Sequence, residues 1–78
     1  MKQYQIISET KNSDGSVESE TVQTSTRKRD IESFFNGLMK QFKKEAKYFV
    51  EIKAIGWAVV TFYGEWGQTE TEYYICKR

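Results

Sequence analysis

Residues 31–63 read IESFFNGLMKQFKKEAKYFVEIKAIGWAVVTFY, and the fold turns on a change of period inside this stretch. In its first half Ile31, Phe34, Phe35, Leu38, Met39, Phe42 and Ala46 follow at spacings of three, one, three, one, three and four, which places them on one stripe of a helix. Ser25 or Thr26 is positioned to cap the start. Asp30 and Glu32 lie near the first turn and Lys43, Lys44 and Lys47 near the end, where the helix dipole favours each sign of charge. Gly37 costs roughly 1 kcal/mol relative to alanine inside a helix, so it marks either close packing against a sheet or a slight bend.

From Tyr48 the period becomes two. Tyr48, Val50, Ile52 and Ala54 fall on one face, and Phe49, Glu51, Lys53 and Ile55 on the other. Gly56 breaks the run. Residues 57–63 are apolar on both faces, the pattern of a central strand with two neighbours and cover above and below. Residues 64–67, Gly-Glu-Trp-Gly, supply a turn, and Gln68 to Cys76 alternates Thr69, Thr71, Tyr73 and Ile75 with Glu70, Glu72, Tyr74 and Cys76. On the other side of the helix, Tyr4, Ile6 and Ile7 open a short strand. The polar run 11–15 makes a hairpin turn at Gly15, and Val17 to Thr26 returns as a strand nearly without apolar side chains, which suits a solvated edge. The expected order is β-β-α-β-β-β: an α+β fold with an antiparallel sheet of about five strands and one amphipathic helix packed on one face.

The chain has 78 residues, and no linker, repeat or low-complexity tract divides it, so residues 1–78 read as a single domain. A chain this short buries only roughly 60% of the surface it exposes when unfolded, so its stability is modest. Apolar residues make up 38% and charged ones 29%, too apolar a balance for disorder. No apolar segment follows Lys2, and the longest apolar run, Ala54 to Tyr63, is far short of a bilayer span, so a soluble, cytoplasmic protein is expected. The single cysteine, Cys76, cannot form an internal disulfide and has too few residues after it for a prenylation box; it reads as a half-buried strand residue.

Motifs for chemistry are missing. With no histidine and one cysteine, a transition-metal site is not expected. Asn12, Asp14 and Gly15 echo part of a calcium loop, but Thr10 and Thr21 stand where it needs Asp and Glu. No phosphate-cradling glycine loop or serine nucleophile elbow is present, nor the RNA-recognition signature. The pairs Glu18 with Glu20 and Glu70 with Glu72 each share a strand face, and they are best explained as charges on solvated strand edges that discourage aggregation. We therefore expect no catalysis, no metal and no cofactor.

Two surfaces suit binding. Residues 27–47 carry seven basic side chains (Arg27, Lys28, Arg29, Lys40, Lys43, Lys44 and Lys47) against three acidic ones, a local charge of +4 in a chain of net +1. Arg29, Asn36, Lys40, Lys43, Lys44 and Lys47 cluster opposite the apolar stripe, where they either keep the helix soluble or lie along a phosphate backbone. The second surface is aromatic. Twelve aromatic residues are too many to fit beneath one helix. If Ala58, Val60 and Phe62 face the helix, then Trp57, Val59, Thr61 and Tyr63 line the opposite face beside Glu51 and Lys53; with reversed parity Ala58, Val60 and Phe62 form the patch. Tyr74 adds to the aromatic set, and Trp66, between two glycines in a turn, either folds back over the sheet or meets a partner.

The leading expectation is a small non-enzymatic protein-interaction module, with Trp57, Val59, Tyr63, Trp66 and Tyr74 as interface candidates, binding another protein or itself as a homodimer. The alternative is nucleic-acid binding through Arg27, Lys28, Arg29, Lys40, Lys43, Lys44 and Lys47. Low proline with many Lys, Glu, Ile and Tyr residues would suit a regulator from a phage or mobile element.

Overall fold

The computed structural model describes residues 3–12, 14–65 and 67–77. Its elements are β1 (Tyr4–Lys11), β2 (Val17–Ser25), α1 (Lys28–Lys43), β3 (Tyr48–Ala54), β4 (Trp57–Gly64) and β5 (Gly67–Lys77), the order expected from the periodicity. The five strands form one sheet in the order β2-β1-β5-β4-β3, with every pairing antiparallel. A hairpin (β1 and β2) and a three-strand meander (β3, β4 and β5) are thus joined along β1 and β5, and α1 carries the chain from one edge strand to the other.

The core is a single layer between α1 and one side of the sheet. Ile31, Phe35 and Met39 of α1 bury against Ile6, Ala58 and Val60, and Tyr4, Leu38, Phe42, Tyr48, Val50, Tyr73 and Ile75 close the margin. At the end of the helix the Phe42 ring meets Tyr48 edge-on at 4.9 Å and lies 5.6 Å from Tyr73, so aromatic contacts pin α1 where the chain leaves it. β2 is exposed from Val17 to Thr24, as expected for a solvated edge.

Several local expectations are corrected. Arg27, not Ser25 or Thr26, occupies the N-cap and makes no side-chain cap; the Ser25 hydroxyl instead accepts the Arg27 N–H at 3.1 Å, which turns the chain out of β2. The helix stops at Lys43, leaving Ala46 and Lys47 outside it. The chain has only residues 44–47 in which to reverse into β3, and it does so through short-range bonds from the Lys44 N–H to the Gln41 carbonyl and from the Glu45 N–H to the Phe42 carbonyl. Gly37 is exposed with open space around its missing side chain, so close packing does not explain it. The alternation in β3 is interrupted by a bulge between Ile52 and Ala54. Gly56 is required: its φ is +73°, a Cβ there would lie 2.9 Å from Ile75 Cδ1, and its carbonyl accepts the Ile75 N–H at 2.9 Å.

Two corrections bear on function. β5 is the middle strand of the sheet, so Glu70 and Glu72 are not edge charges. β4 has its two neighbours but is covered on one face only, by α1.

Chemical denaturation of two variants checks this packing. Ile31→Ala should cost about 2–5 kcal/mol, as a fully buried aliphatic does, whereas Gly37→Ala should gain about 0.5–1 kcal/mol because its site is open and helical.

Candidate functional site

Ala58 and Val60 are buried beneath α1, which fixes the parity of β4 and turns Trp57, Val59, Thr61 and Tyr63 to the other side of the sheet. Carrying this parity through the strand registers gives that open face as cross-strand rows. One row runs Ser19, Glu9, Glu72, Val59, Glu51 from β2 to β3. The row on one side of it contains Ile7, Tyr74 and Trp57, and the row on the other side contains Lys11, Glu70, Thr61 and Phe49. Tyr63 lies further along, opposite Gln68.

This face carries large aromatic side chains in contact with solvent: Phe49 is 57% exposed, Tyr63 53% and Trp57 42%. Val59 and Tyr74 are half-buried among them. Among the described residues the sheet has no second layer here, and the molecule measures 17 Å through its thinnest dimension. Its accessible surface of 5928 Å² compares with about 4,900 Å² for an average folded monomer of this mass. An excess of about 1,000 Å² is of the order that one partner contributes to a protein interface.

The face is also acidic, which the strand-by-strand reading did not anticipate. Glu9 and Glu72 stand directly across from one another on β1 and β5. Like charges so placed destabilise a sheet. Each carboxylate is oriented by an aromatic donor: the Trp57 indole N–H donates to Glu72 Oε2 at 3.0 Å, and the Tyr74 hydroxyl donates to Glu9 Oε1 at 2.7 Å. Glu51 is paired with Lys53 at 2.8 Å, and Glu70 lies opposite Lys11, but among the described residues no ion pair involves Glu9 or Glu72. Shallow hollows open between Glu9, Glu72, Trp57 and Tyr74, and between Glu9, Lys11, Val59, Glu70 and Glu72. Among the described residues no group of three or more potential metal ligands comes together.

The basic residues lie elsewhere. Arg27, Lys28, Arg29, Lys40, Lys43, Lys44 and Lys47 are all exposed along α1 and its two ends. Lys28 makes a loose contact with Glu32 at 3.8 Å. The Lys47 ammonium sits 5.8 Å from the centre of the Tyr48 ring. A groove of about 450 Å³ between α1 and β3 is lined by Phe35, Met39, Lys40, Lys43, Ile52 and Ile55, among others, and Ile55 at the hairpin tip is 93% exposed. The cations along the helix, from Lys28 to Lys43, and the open-face aromatics are therefore on opposite sides of the sheet.

Four of the five interface candidates, Trp57, Val59, Tyr63 and Tyr74, share the open face. Trp66 lies outside the described residues. Glu9, Glu72 and Phe49 were missed as site residues. The alternation of Glu70 and Glu72 with Tyr74 already puts those carboxylates beside an aromatic, but the pairing of β1 with β5 joins residues 63 apart and leaves no local signature. No helix is long and apolar enough to cross a membrane among the described residues. A scan against protein-family models and searches of the curated proteins and of the solved structures each found no match to the chain.

The link between Tyr74 and Glu9 has a titration signature. Donation to the Glu9 carboxylate, then desolvation and the neighbouring negative charges, hold the Tyr74 phenol above its ordinary value of 10.0. A raised group holds its proton in the fold, so its contribution to stability is complete below the unfolded pKa of about 10 and is lost as pH rises through the folded value. Following the Tyr74 ring carbon by NMR should show ionisation above that of an ordinary tyrosine, and Glu9→Ala should lower it. Unchanged ionisation in Glu9→Ala would mean that the hydrogen bond does not form in solution.

Proposed function

We propose that the protein is a non-enzymatic interaction module whose working surface is the open face of the sheet. The observation that carries this reading is the exposure of Phe49, Trp57 and Tyr63 on a side of the sheet that no helix or strand among the described residues covers. Exposed aromatic side chains on a stiff sheet lose little conformational entropy when a partner seats on them, and they contribute much of the binding energy in protein interfaces. Continuous backbone pairing across five strands holds these side chains in fixed relative positions, which favours recognition of a shaped partner.

Nucleic-acid binding through α1 is the second reading, supported by the exposure of all seven cations from Arg27 to Lys47. It engages the opposite side of the domain and leaves the aromatic face unused. The two readings thus make separate claims about where contact occurs.

A photo-crosslinking residue placed at Tyr63 or at Lys40, in cells of the source organism, separates them. The interaction-module reading expects protein adducts from position 63 that are absent or much weaker from position 40. Adducts to nucleic acid from position 40, with none to protein from position 63, would overturn it.

A further inference from the structure

We propose that the open face receives the arginine side chains of a partner protein, with the hollow between Glu9, Glu72, Trp57 and Tyr74 as the principal seat for a guanidinium. This inference rests on the reading of that face as a protein interface and names the chemistry of its occupant.

Charge complementarity selects the occupant. The face presents Glu9, Glu51, Glu70 and Glu72 against Lys11 and Lys53, and the two bases lie beside Glu70 and Glu51. Glu9 and Glu72, side by side on neighbouring strands, form no ion pair among the described residues, although Lys11 lines a hollow beside them. Each accepts an aromatic donor at one oxygen, Glu9 at Oε1 and Glu72 at Oε2, and the other oxygen of each accepts no hydrogen bond among the described residues, so it can take a further donor. A guanidinium offers five N–H donors in a flat fork that suits carboxylates, and its plane stacks on an indole or phenol ring. Trp57 and Tyr74 flank the two carboxylates, so stacking and ion pairing are available at one place. Val59 beside this seat, and Phe49 and Tyr63 further along the same face, provide the apolar area that a lone cation would not need but a protein segment would.

The same charges disfavour other occupants. A two-fold dimer of this face would bring together two surfaces that each carry four glutamates against two lysines, and the net like charge opposes that contact. Phosphate groups meet the same repulsion. The homodimer expected from aromatic content alone is therefore the weaker use of this surface.

A labelled short, capped peptide of alternating arginine and leucine is the direct probe, titrated into the full chain alongside a counterpart with glutamate in place of arginine. The arginine peptide should bind, more weakly as salt is raised, and shift the indole N–H resonance of Trp57; the glutamate peptide should not. The double variant Glu9→Gln, Glu72→Gln should lose at least about tenfold in affinity, and Trp57→Phe severalfold. Lys40→Glu with Lys43→Glu on the far side should bind no more weakly than the unaltered chain. Circular dichroism confirms that each variant keeps its sheet. Absence of binding, equal binding of the glutamate peptide, or undiminished affinity in the folded double glutamine variant would overturn the proposal. Protein adducts from Tyr63 would in that case still stand, and the face would be an interface for a partner of other chemistry.

Discussion

A helix of sixteen residues can cover only one side of a five-stranded sheet, and the rest of this structure follows from that limit. Such a helix is about 24 Å long, and five strands span roughly 20 Å, so α1 just reaches from β2 to β3 across one face. Its stripe of Ile31, Phe35 and Met39 packs on Ile6, Ala58 and Val60. No helix or strand among the described residues covers the other face. With six apolar residues forming the buried core among the described residues, the domain has little stability in reserve to tolerate unfavourable surface features without some return.

Yet the uncovered face holds such features. Aromatic rings stand in water, and Glu9 and Glu72 oppose one another at the middle of the sheet, where a threonine or an opposite charge would be more stable. Sheet edges often carry charge against aggregation, and β2 does so with Glu18 and Glu20. That purpose does not reach the interior strands. A partner that brings cations to these carboxylates and apolar surface to Phe49, Trp57 and Tyr63 would relieve both costs in one contact. Placement of the helix cations on the far side of the sheet leaves only Lys11 and Lys53 to offset the four glutamates of this face.

Much of this fold was legible because its elements announce themselves locally. The helical stripe and the alternation after Tyr48 gave the number, order and type of elements, and Gly15 and Gly56 marked turns that do take positive φ. Helix ends were read less well: Ser25 bonds to Arg27 rather than capping the first turn, and the reversal into β3 cuts the helix at Lys43, short of the apolar position at Ala46. The candidate site was half legible. β4 is apolar on both faces, so its pattern could not say which side meets the helix; burial of Ala58 and Val60 decides it. The acidic half depends on β1 pairing with β5, a contact between distant parts of the chain that brings Glu9 to Glu72. Neither residue alone carries a sign of it.

If the open face is built for a cationic partner, Glu9 and Glu72 oppose each other at a cost to the free protein. Thermal unfolding of Glu9→Gln measures this most directly, because glutamine removes the charge while keeping an acceptor oxygen for Tyr74. We predict that the variant melts about 2–5 °C above the unaltered chain at neutral pH and low salt, with the gap narrowing as salt is added. A melting temperature equal to or below that of the unaltered chain would show that the carboxylate belongs to the fold itself, and would contradict the assignment of Glu9 and Glu72 to a partner.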